Sequence, residues 1–358
     1  MPPSTSREKI DAIVLKIKKH PFYTCLCMIV LISFLFFVYT HPLNTEYTKP
    51  VRTVLPMVDA PVDTFTLTTE PEQSTAPILA LIKNSTTSID LVMYEFKDKA
   101  IADALIDAEK RGVAVRVLIN QGYYGKEEEV NEPAYVYLKS NGVPVNWTPN
   151  YFGLTHQKTL IVDKNKAFIM TFNFTPQYYS SSRDFGLLDN DKKDVDAIEN
   201  TFDADWSNQK VILQNGDDLV WSPGSDQDML LLINSAKKEI DIYNEEMDDE
   251  RIISALSSAA KRGINVNIIM TYQSSWKPAF EELKNAGAHL HLFHGEKGLY
   301  IHAKIIITDS SYAFLGSENF SYVSLDKNRE LGIFLSDSTV INSLIHTFKT
   351  DWQNAENF

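Results

Sequence analysis

The chain of 358 residues carries a formal net charge of −13 at pH 7, and an acidic balance of that size makes a poor general polyanion binder. The acidity belongs to the later part, because the first 21 residues hold Arg7, Lys9, Lys16, Lys18 and Lys19 against Glu8 and Asp11. The only cysteines, Cys25 and Cys27, lie inside an apolar run, which excludes a disulfide framework and thiolate metal ligation from the rest.

Residues 1–21 read as a basic cytosolic tail. Phe22 to Thr40 follows as an uncharged stretch of 19 residues, spanning about 28 Å as a helix, enough to cross a hydrocarbon core once. Lys16, Lys18 and Lys19 on its near flank predict an uncleaved signal anchor, with the N-terminus cytosolic and the remainder extracytoplasmic, in a periplasm or lumen. A cleaved signal peptide, leaving a secreted protein, is the competing reading; against it stand the long basic region and the lack of a small-x-small cleavage site. A buried core helix does not suit a segment that is apolar all round. Residues 41–61, with Pro42, Pro50, Pro56 and Pro61, predict a semi-rigid spacer.

Roughly 300 residues then remain, enough for two modest α/β units or one fused bilobal domain. They contain an internal duplication, with halves at 62–212 and 213–358. Ser88-Ile89-Asp90 through Arg111-Gly112-Val113 parallels Glu239-Ile240-Asp241 through Arg262-Gly263-Ile264, and Thr201-Phe202-Asp203-Ala204-Asp205-Trp206 parallels Thr347-Phe348-Lys349-Thr350-Asp351-Trp352. In each half an apolar run (Ile89 to Tyr94; Ile240 to Tyr243) precedes a helix, a β-branched run (Val113 to Ile119; Ile264 to Met270), a second helix and a strand into the motif described next. Gly112 and Gly263 fall at helix C-terminal caps. Alternating strands and helices predict two α/β/α halves with mixed sheets, packed as a pseudo-twofold bilobal domain behind one transmembrane helix.

His156-Gln157-Lys158 and His302-Ala303-Lys304 open two copies of one residue pattern. Asp163, Asn173 and Asp184 follow the first at the offsets at which Asp309, Asn319 and Glu330 follow the second, with Gly316-Ser317 just ahead of Asn319. Two such copies suit double displacement at a phosphodiester, whose anionic phosphorus repels nucleophiles and whose alkoxide leaves poorly unless protonated. One neutral imidazole can attack while the other, as imidazolium, protonates the leaving oxygen and then activates water or an alcohol. Lys158 and Lys304, two residues along a strand from each histidine, are expected to hold the nonbridging oxygens. Asn173 and Asn319 add neutral donors, with Thr171 and Ser317 as hydroxyl partners. Asp184 and Glu330 are expected to accept the far ring N–H of His156 and His302 in that order. Asp163 and Asp309 read as structural supports.

This constellation resembles the phospholipase D superfamily, named for its His-x-Lys-x4-Asp motif, from about Val62 to Trp352. The resemblance implies bilobal α/β architecture and phosphodiester cleavage or exchange through a covalent phosphohistidine, with no cofactor and no metal. It implies His156 as nucleophile and His302 as general acid and base. Both motifs lie in one chain, so the site needs no oligomer. In the first copy Met170 and Thr171 stand where the second has Gly316 and Ser317, and Asp184 replaces a glutamate. Met170 is expected to narrow the phosphate pocket or wall it. A first half that has become mainly structural is the competing reading, against which His156, Lys158, Asp163 and Asn173 remain.

Other features read as structure. His289, His291 and His294 are assigned to a strand edge rather than a metal site. Arg183 and Arg329 are expected to pair with acidic neighbours, and Tyr123-Tyr124, Tyr151-Phe152 and Tyr178-Tyr179 to pack. Glu95 and Glu245-Glu246 are read as solvated or capping groups, with a reach into the site as the competing reading, and Lys126-Glu127-Glu128-Glu129 as an exposed face. The sequons at Asn173 and Asn319 are discounted, since glycans there would block the pocket.

For the substrate, the anchor, the acidic domain and the lack of a basic stripe favour a glycerophospholipid on a membrane surface, hydrolysed or with its phosphatidyl group transferred to an alcohol. Nucleic acid is the alternative substrate, because the superfamily includes membrane-tethered nucleases and a groove can concentrate cations that total charge hides. A noncatalytic tethered binding module is the third reading and requires the motifs to be relics.

Overall fold

The computed structural model describes residues 52–56, 64–122, 130–295 and 298–358. The basic tail, the apolar run, most of the spacer, Tyr123-Tyr124 and the Lys126–Glu129 run lie outside the described residues. Among the described residues no helix is long and apolar enough to cross a membrane.

The first half builds β1 (Phe65–Glu70), α1 (Ala76–Asn84), β2 (Ser88–Met93), α2 (Lys99–Lys110), β3 (Ala114–Ile119), α3 (Glu132–Ser140), β4 (Val145–Trp147), β5 (Thr159–Val162), β6 (Lys166–Met170), β7 (Ser182–Asp189) and α4 (Lys192–Trp206). The second builds β8 (Leu219–Ser222), α5 (Asp226–Ser235), β9 (Glu239–Tyr243), α6 (Glu250–Lys261), β10 (Asn265–Thr271), α7 (Lys277–Ala286), β11 (His289–Phe293), β12 (Tyr300–Ile301), β13 (Ile305–Thr308), β14 (Tyr312–Gly316), α8 (Tyr322–Asp326), β15 (Glu330–Leu335), α9 (Ser338–Asn354) and β16 (Glu356–Asn357). The strands order as β1-β7-β6-β5-β2-β3-β4, with β12 added against β7, and as β16-β11-β10-β9-β13-β14-β15-β8. Both sheets are mixed: β2 pairs in parallel with β3 and antiparallel with β5, and β9 does likewise with β10 and β13.

Local chemistry sets the ends of the paired helices. Asp98 and Asp249 cap α2 and α6 by accepting from the N–H groups two and three residues on. At the far ends Gly112 and Gly263 take φ of +92° and +87°, where a side chain is strained. The next residues then reach back, Val113 N–H to Ala108 O at 3.1 Å and Ile264 N–H to Ala259 O at 3.2 Å.

Alternation along the strands divides the core into three layers. On β6, Phe168 and Met170 join the outer cluster with Ile78, Leu105 and Val117, whereas Ala167 and Ile169 face a central cluster. That cluster takes Ile161 and Leu187 from one sheet, Tyr243 and Ile305 from the other, and Ile198, Phe202, Leu344 and Phe348 from α4 and α9. The last helix of each half therefore lies in apolar contact with both sheets, and the halves share one core.

Candidate active site

Both His-x-Lys triplets fall where the chain passes from one half to the other. Thr155 bridges Arg329, and the N–H groups of His156 and Gln157 both donate to the Arg329 carbonyl, at 2.9 and 3.0 Å, before Lys158 leads into β5. In the mirror arrangement β12 pairs with β7 and Ala303 N–H donates to the Arg183 carbonyl at 2.9 Å, before Lys304 leads into β13. Each triplet is a short extended link between strands. The expected strand through the motif is interrupted there because its hydrogen-bonding partner changes from one half to the other.

That exchange crosses the carboxylates. His156 Nδ1–H donates to Glu330 Oε2 at 2.8 Å and to the Ser317 carbonyl at 3.1 Å. His302 Nδ1 lies 2.9 Å from Asp184 Oδ1. The same-half pairing expected from the spacing is corrected, since each histidine is oriented by the other half's carboxylate. With Nδ1 engaged, Nε2 of each ring is left for a cleft of about 840 Å³ that both histidines line.

Thr171 and Ser317 are also reassigned. Their hydroxyls donate to Asp184 Oδ1 at 2.5 Å and Glu330 Oε2 at 2.7 Å, so they hold the orienting carboxylates instead of adding to the oxyanion donors. Glu330 Oε1 further accepts from Ser324 Oγ at 2.7 Å and Asn328 Nδ2 at 3.1 Å. Burial opposes the Glu330 charge, yet His156, Lys158 and these donors hold its carboxyl below the usual range. Burial depresses His156 below the ordinary histidine value, Glu330 works against that and Lys158 adds to it.

Lys158 and Lys304 are buried, at 1% and 0% exposure, and each donates to the carbonyl of its own histidine. Burial first and then the Lys304 charge push Lys158 down to about 7. Asn173 Oδ1 accepts from Glu95 N–H at 3.3 Å, and Asn319 Nδ2 lies 3.4 Å from Glu245 Oε2. Asp163 and Asp309 sit outside the cleft. Each has φ of +51° and clamps the turn before its half's first parallel strand: Asp163 accepts from Thr87 N–H at 2.7 Å, Asp309 from Lys238 N–H at 2.7 Å. Burial opposes both charges, and the backbone donors outweigh it.

Residues 78–206 and 229–352 each match the family described as "cardiolipin synthase, PLD-like domain", one copy per half and together more than half of the chain. The chain belongs to the phospholipase D superfamily. It is 26% identical over 322 residues to the major cardiolipin synthase of Bacillus subtilis, covering 76% of this chain and 66% of the relative. It is 28% identical over 318 residues to a cardiolipin synthase of Clostridium perfringens, covering 74% and 65%. The chain thus spans just under two thirds of the length of these relatives. In fold it matches the phosphatidylserine synthase of Haemophilus influenzae with a TM-score of 0.68 at 14% identity, over 85% of this chain and 89% of that one.

Within this superfamily member the halves differ beneath the histidines. The bridges Phe96 to Phe174 and Met247 to Phe320 make Tyr94 and Glu245 counterparts. The Tyr94 ring lies 4.7 Å edge-on from the His156 ring and 5.3 Å from Lys158 Nζ. Glu245 instead sets Oε2 at 3.0 Å from Lys304 Nζ and 3.5 Å from His302 Nε2, and takes the Tyr300 hydroxyl on Oε1 at 2.6 Å. Burial works against its charge, but Lys304, His302 and Tyr300 hold the Glu245 carboxyl far below the usual range. Glu245 is therefore a site group, reading as neither solvated nor capping.

Glu70 was not marked by any motif. It lines the cleft at 1% exposure, directly across the strand pair from Asp184, where the second half has Ser222 across from Glu330. Burial, then the charges of Asp184 and Glu72, push its carboxyl up to about 9. The one signal was Glu70-Pro71 against Ser222-Pro223 ahead of each half's first helix.

Met170 does not border the cleft. Its side chain is in the outer core with Phe168 and Phe172, and the corresponding space in the second half is closed, since a Cβ on Gly316 would meet Glu318 Oε2 at 2.4 Å and Gly332 Cα at 2.5 Å. The arginines pair as expected but across halves: Arg183 with Asp351 at 2.6 and 2.9 Å, Arg329 with Asp205 at 3.1 Å through both nitrogens. The repeated Asp-Trp phrases thus supply the partners. His291 donates to the Trp352 carbonyl at 2.8 Å and stacks on that ring, and His294 stacks on Tyr272. Among the described residues no group of three or more His, Cys, Asp or Glu is placed to hold a metal ion. Phe152 packs under Arg329, whereas Tyr178 and Tyr179 line the cleft.

Proposed function

We propose that the protein acts on glycerophospholipids as a phospholipase D-type phosphodiesterase, hydrolysing them or transferring the phosphatidyl group to an alcohol as the names of its cardiolipin synthase relatives suggest. His156 Nε2 attacks phosphorus and the bond to the leaving oxygen breaks, while His302 Nε2–H gives that oxygen its proton. The now neutral His302 then takes the proton of water or an alcohol, whose oxygen attacks phosphorus and breaks the P–N bond, restoring both histidines. Lys158, Lys304, Asn173 and Asn319 stabilise the charge on the nonbridging oxygens, and Asp184 and Glu330 act as orienting groups.

The observation that carries this reading is the unlike setting of the two rings at one cleft. His156 has an aromatic edge beside it and is depressed by burial, as a nucleophile requires. His302 has Asp184 at Nδ1 and Glu245 toward Nε2, surroundings that balance the charge of an acid. The cleft favours lipid over nucleic acid: its described lining sets Glu95, Asp184, Glu245 and Glu246 against Lys97 and the two histidines, which repels a polyphosphate. The Phe22 to Thr40 run is proposed as the signal anchor holding the catalytic halves, 62–212 and 213–358, on the extracytoplasmic side near the membrane surface. Purified protein incubated with mixed phospholipids and with single- and double-stranded DNA, in excess EDTA, tests the reading. Consumption of lipid alone is expected; consumption of DNA alone overturns it.

A further inference from the structure

We propose that Glu245 sets the charge of the ligand this site accepts, its carboxylate occupying the second half's phosphoryl-oxygen position and discriminating against dianionic phosphates in favour of monoanionic diesters. This rests on the reading above that the cleft binds a phosphoryl group. One oxygen, Oε2, gathers the three donors that the second half offers to such a group: Lys304 Nζ at 3.0 Å, Asn319 Nδ2 at 3.4 Å and His302 Nε2 at 3.5 Å. The other oxygen is fixed by the Tyr300 hydroxyl at 2.6 Å. The side chain is 19% exposed and lines the cleft, so an entering ligand meets it.

Among the described residues the first half has no such occupant. There the counterpart is Tyr94, whose ring leaves Lys158 Nζ to its histidine's carbonyl and to whatever anion enters. A phosphoryl group that reaches both lysines must displace the Glu245 carboxylate or lie beside it, against a unit negative charge. That repulsion is linear in the ligand's charge. A monoanionic diester, the form of a phospholipid substrate, meets half the penalty that a phosphate dianion or a phosphomonoester product meets. The carboxylate cancels one of the two lysine charges, and because the desolvation cost of an anion rises with the square of its charge, the remaining attraction favours the monoanion and the site clears hydrolysed product.

The test is the affinity of the full-length protein, in an uncharged detergent, for dimethyl phosphate and for inorganic phosphate at about pH 8, where phosphate is mainly dianionic, measured by calorimetry. Wild type is expected to bind dimethyl phosphate more tightly than inorganic phosphate, a readout that needs no variant. In Glu245→Gln both affinities rise, inorganic phosphate by roughly the square of the factor for dimethyl phosphate and by roughly tenfold or more. Glu250→Gln, an exposed carboxylate at the start of α6, controls for net charge and is expected to change neither. Equal gains for the two ligands, or none, overturn the assignment, as does a wild type that prefers the dianion. If neither ligand binds wild type or Glu245→Gln, the phosphoryl-site reading itself falls and this inference with it.

Discussion

His156 takes its orientation from the opposite half of the chain, its Nδ1 lying 2.8 Å from Glu330 Oε2 across 174 residues of sequence. A carboxylate in that position fixes the Nδ1–H tautomer and stabilises positive charge on the ring, and an amide does neither reliably. Glu330→Gln is expected to fold and to lose on the order of 10³–10⁴-fold in kcat, the scale seen when such carboxylates become amides elsewhere. Asp184→Asn should cost His302 comparably. Steady-state turnover with a melting curve as the folding control decides it; activity within threefold of wild type in either variant would contradict the crossed arrangement.

Lys158 offers a proton-counting test. Burial and Lys304 hold it near 7, so at about pH 8 it is mostly neutral, and an anion bound beside it favours the charged form. Dimethyl phosphate binding at about pH 8 should therefore take up a proton, close to one per site, and at about pH 6 far less. Calorimetry in buffers of differing ionisation enthalpy gives the count. The uptake should disappear in Lys158→Met, and a count that is the same at both pH values would show that Lys158 does not face the ligand.

The crossed pairs Arg329 with Asp205 and Arg183 with Asp351 are buried, at 0% and 3% exposure for the arginines. Removing Asp205 takes a buried carboxylate from the guanidinium it bonds through two nitrogens, so Asp205→Ala is expected to destabilise by about 3–5 kcal/mol in urea unfolding. Replacing both partners with apolar residues, Arg329→Met with Asp205→Leu, should recover most of that loss. A double variant as unstable as the single one would show that the guanidinium does more than neutralise Asp205.

Stability should fall as the solution becomes alkaline. Burial pushes Glu70 up to about 9, Asp189 to about 8 and Asp218 to about 10, with neighbouring carboxylates adding to the shift. These groups fold protonated. Their contribution is complete below the unfolded carboxyl values near 4 and is lost as pH rises through about 8 to 10. Lys158, lowered in the fold, works in the opposite sense over part of the window but is one group against three. The melting temperature is therefore expected to drop between about pH 7 and pH 10, less steeply in Asp189→Asn; a flat profile would argue that these carboxyls are already ionised.

The spacing of the duplicated motif made the histidines, lysines, asparagines and structural aspartates legible, and Gly112 and Gly263 marked the helix ends because a Schellman turn needs a left-handed residue there. The crossing was not legible. Equal spacing in both halves permits Asp184 to serve His156 or His302, and only the exchange of strand ends at Arg183 and Arg329 decides between them. Met170 was misplaced for a related reason: its strand alternation groups it with Phe168 on the outer face, while aligning it with Gly316 says nothing about facing. Glu70 escaped notice because its counterpart, Ser222, belongs to another chemical class, so a search for repeated types passes over it; Glu245, though near the site, reads from the sequence as solvated or capping, since its counterpart, Tyr94, carries no matching charge.

The central claim, a covalent intermediate on His156 that His302 both helps to form and then resolves, is most directly tested by trapping. Phosphatidyl-4-nitrophenol carries a leaving group that departs without a proton, so His302→Ala should still form the intermediate and lack the base to release it. After a brief incubation and an alkaline quench, where phosphohistidine survives, peptide mass spectrometry is expected to find a phosphatidyl adduct on the peptide containing His156 and none in His156→Ala. An adduct on the His302 peptide of His156→Ala, or undiminished turnover by either variant, would contradict the account.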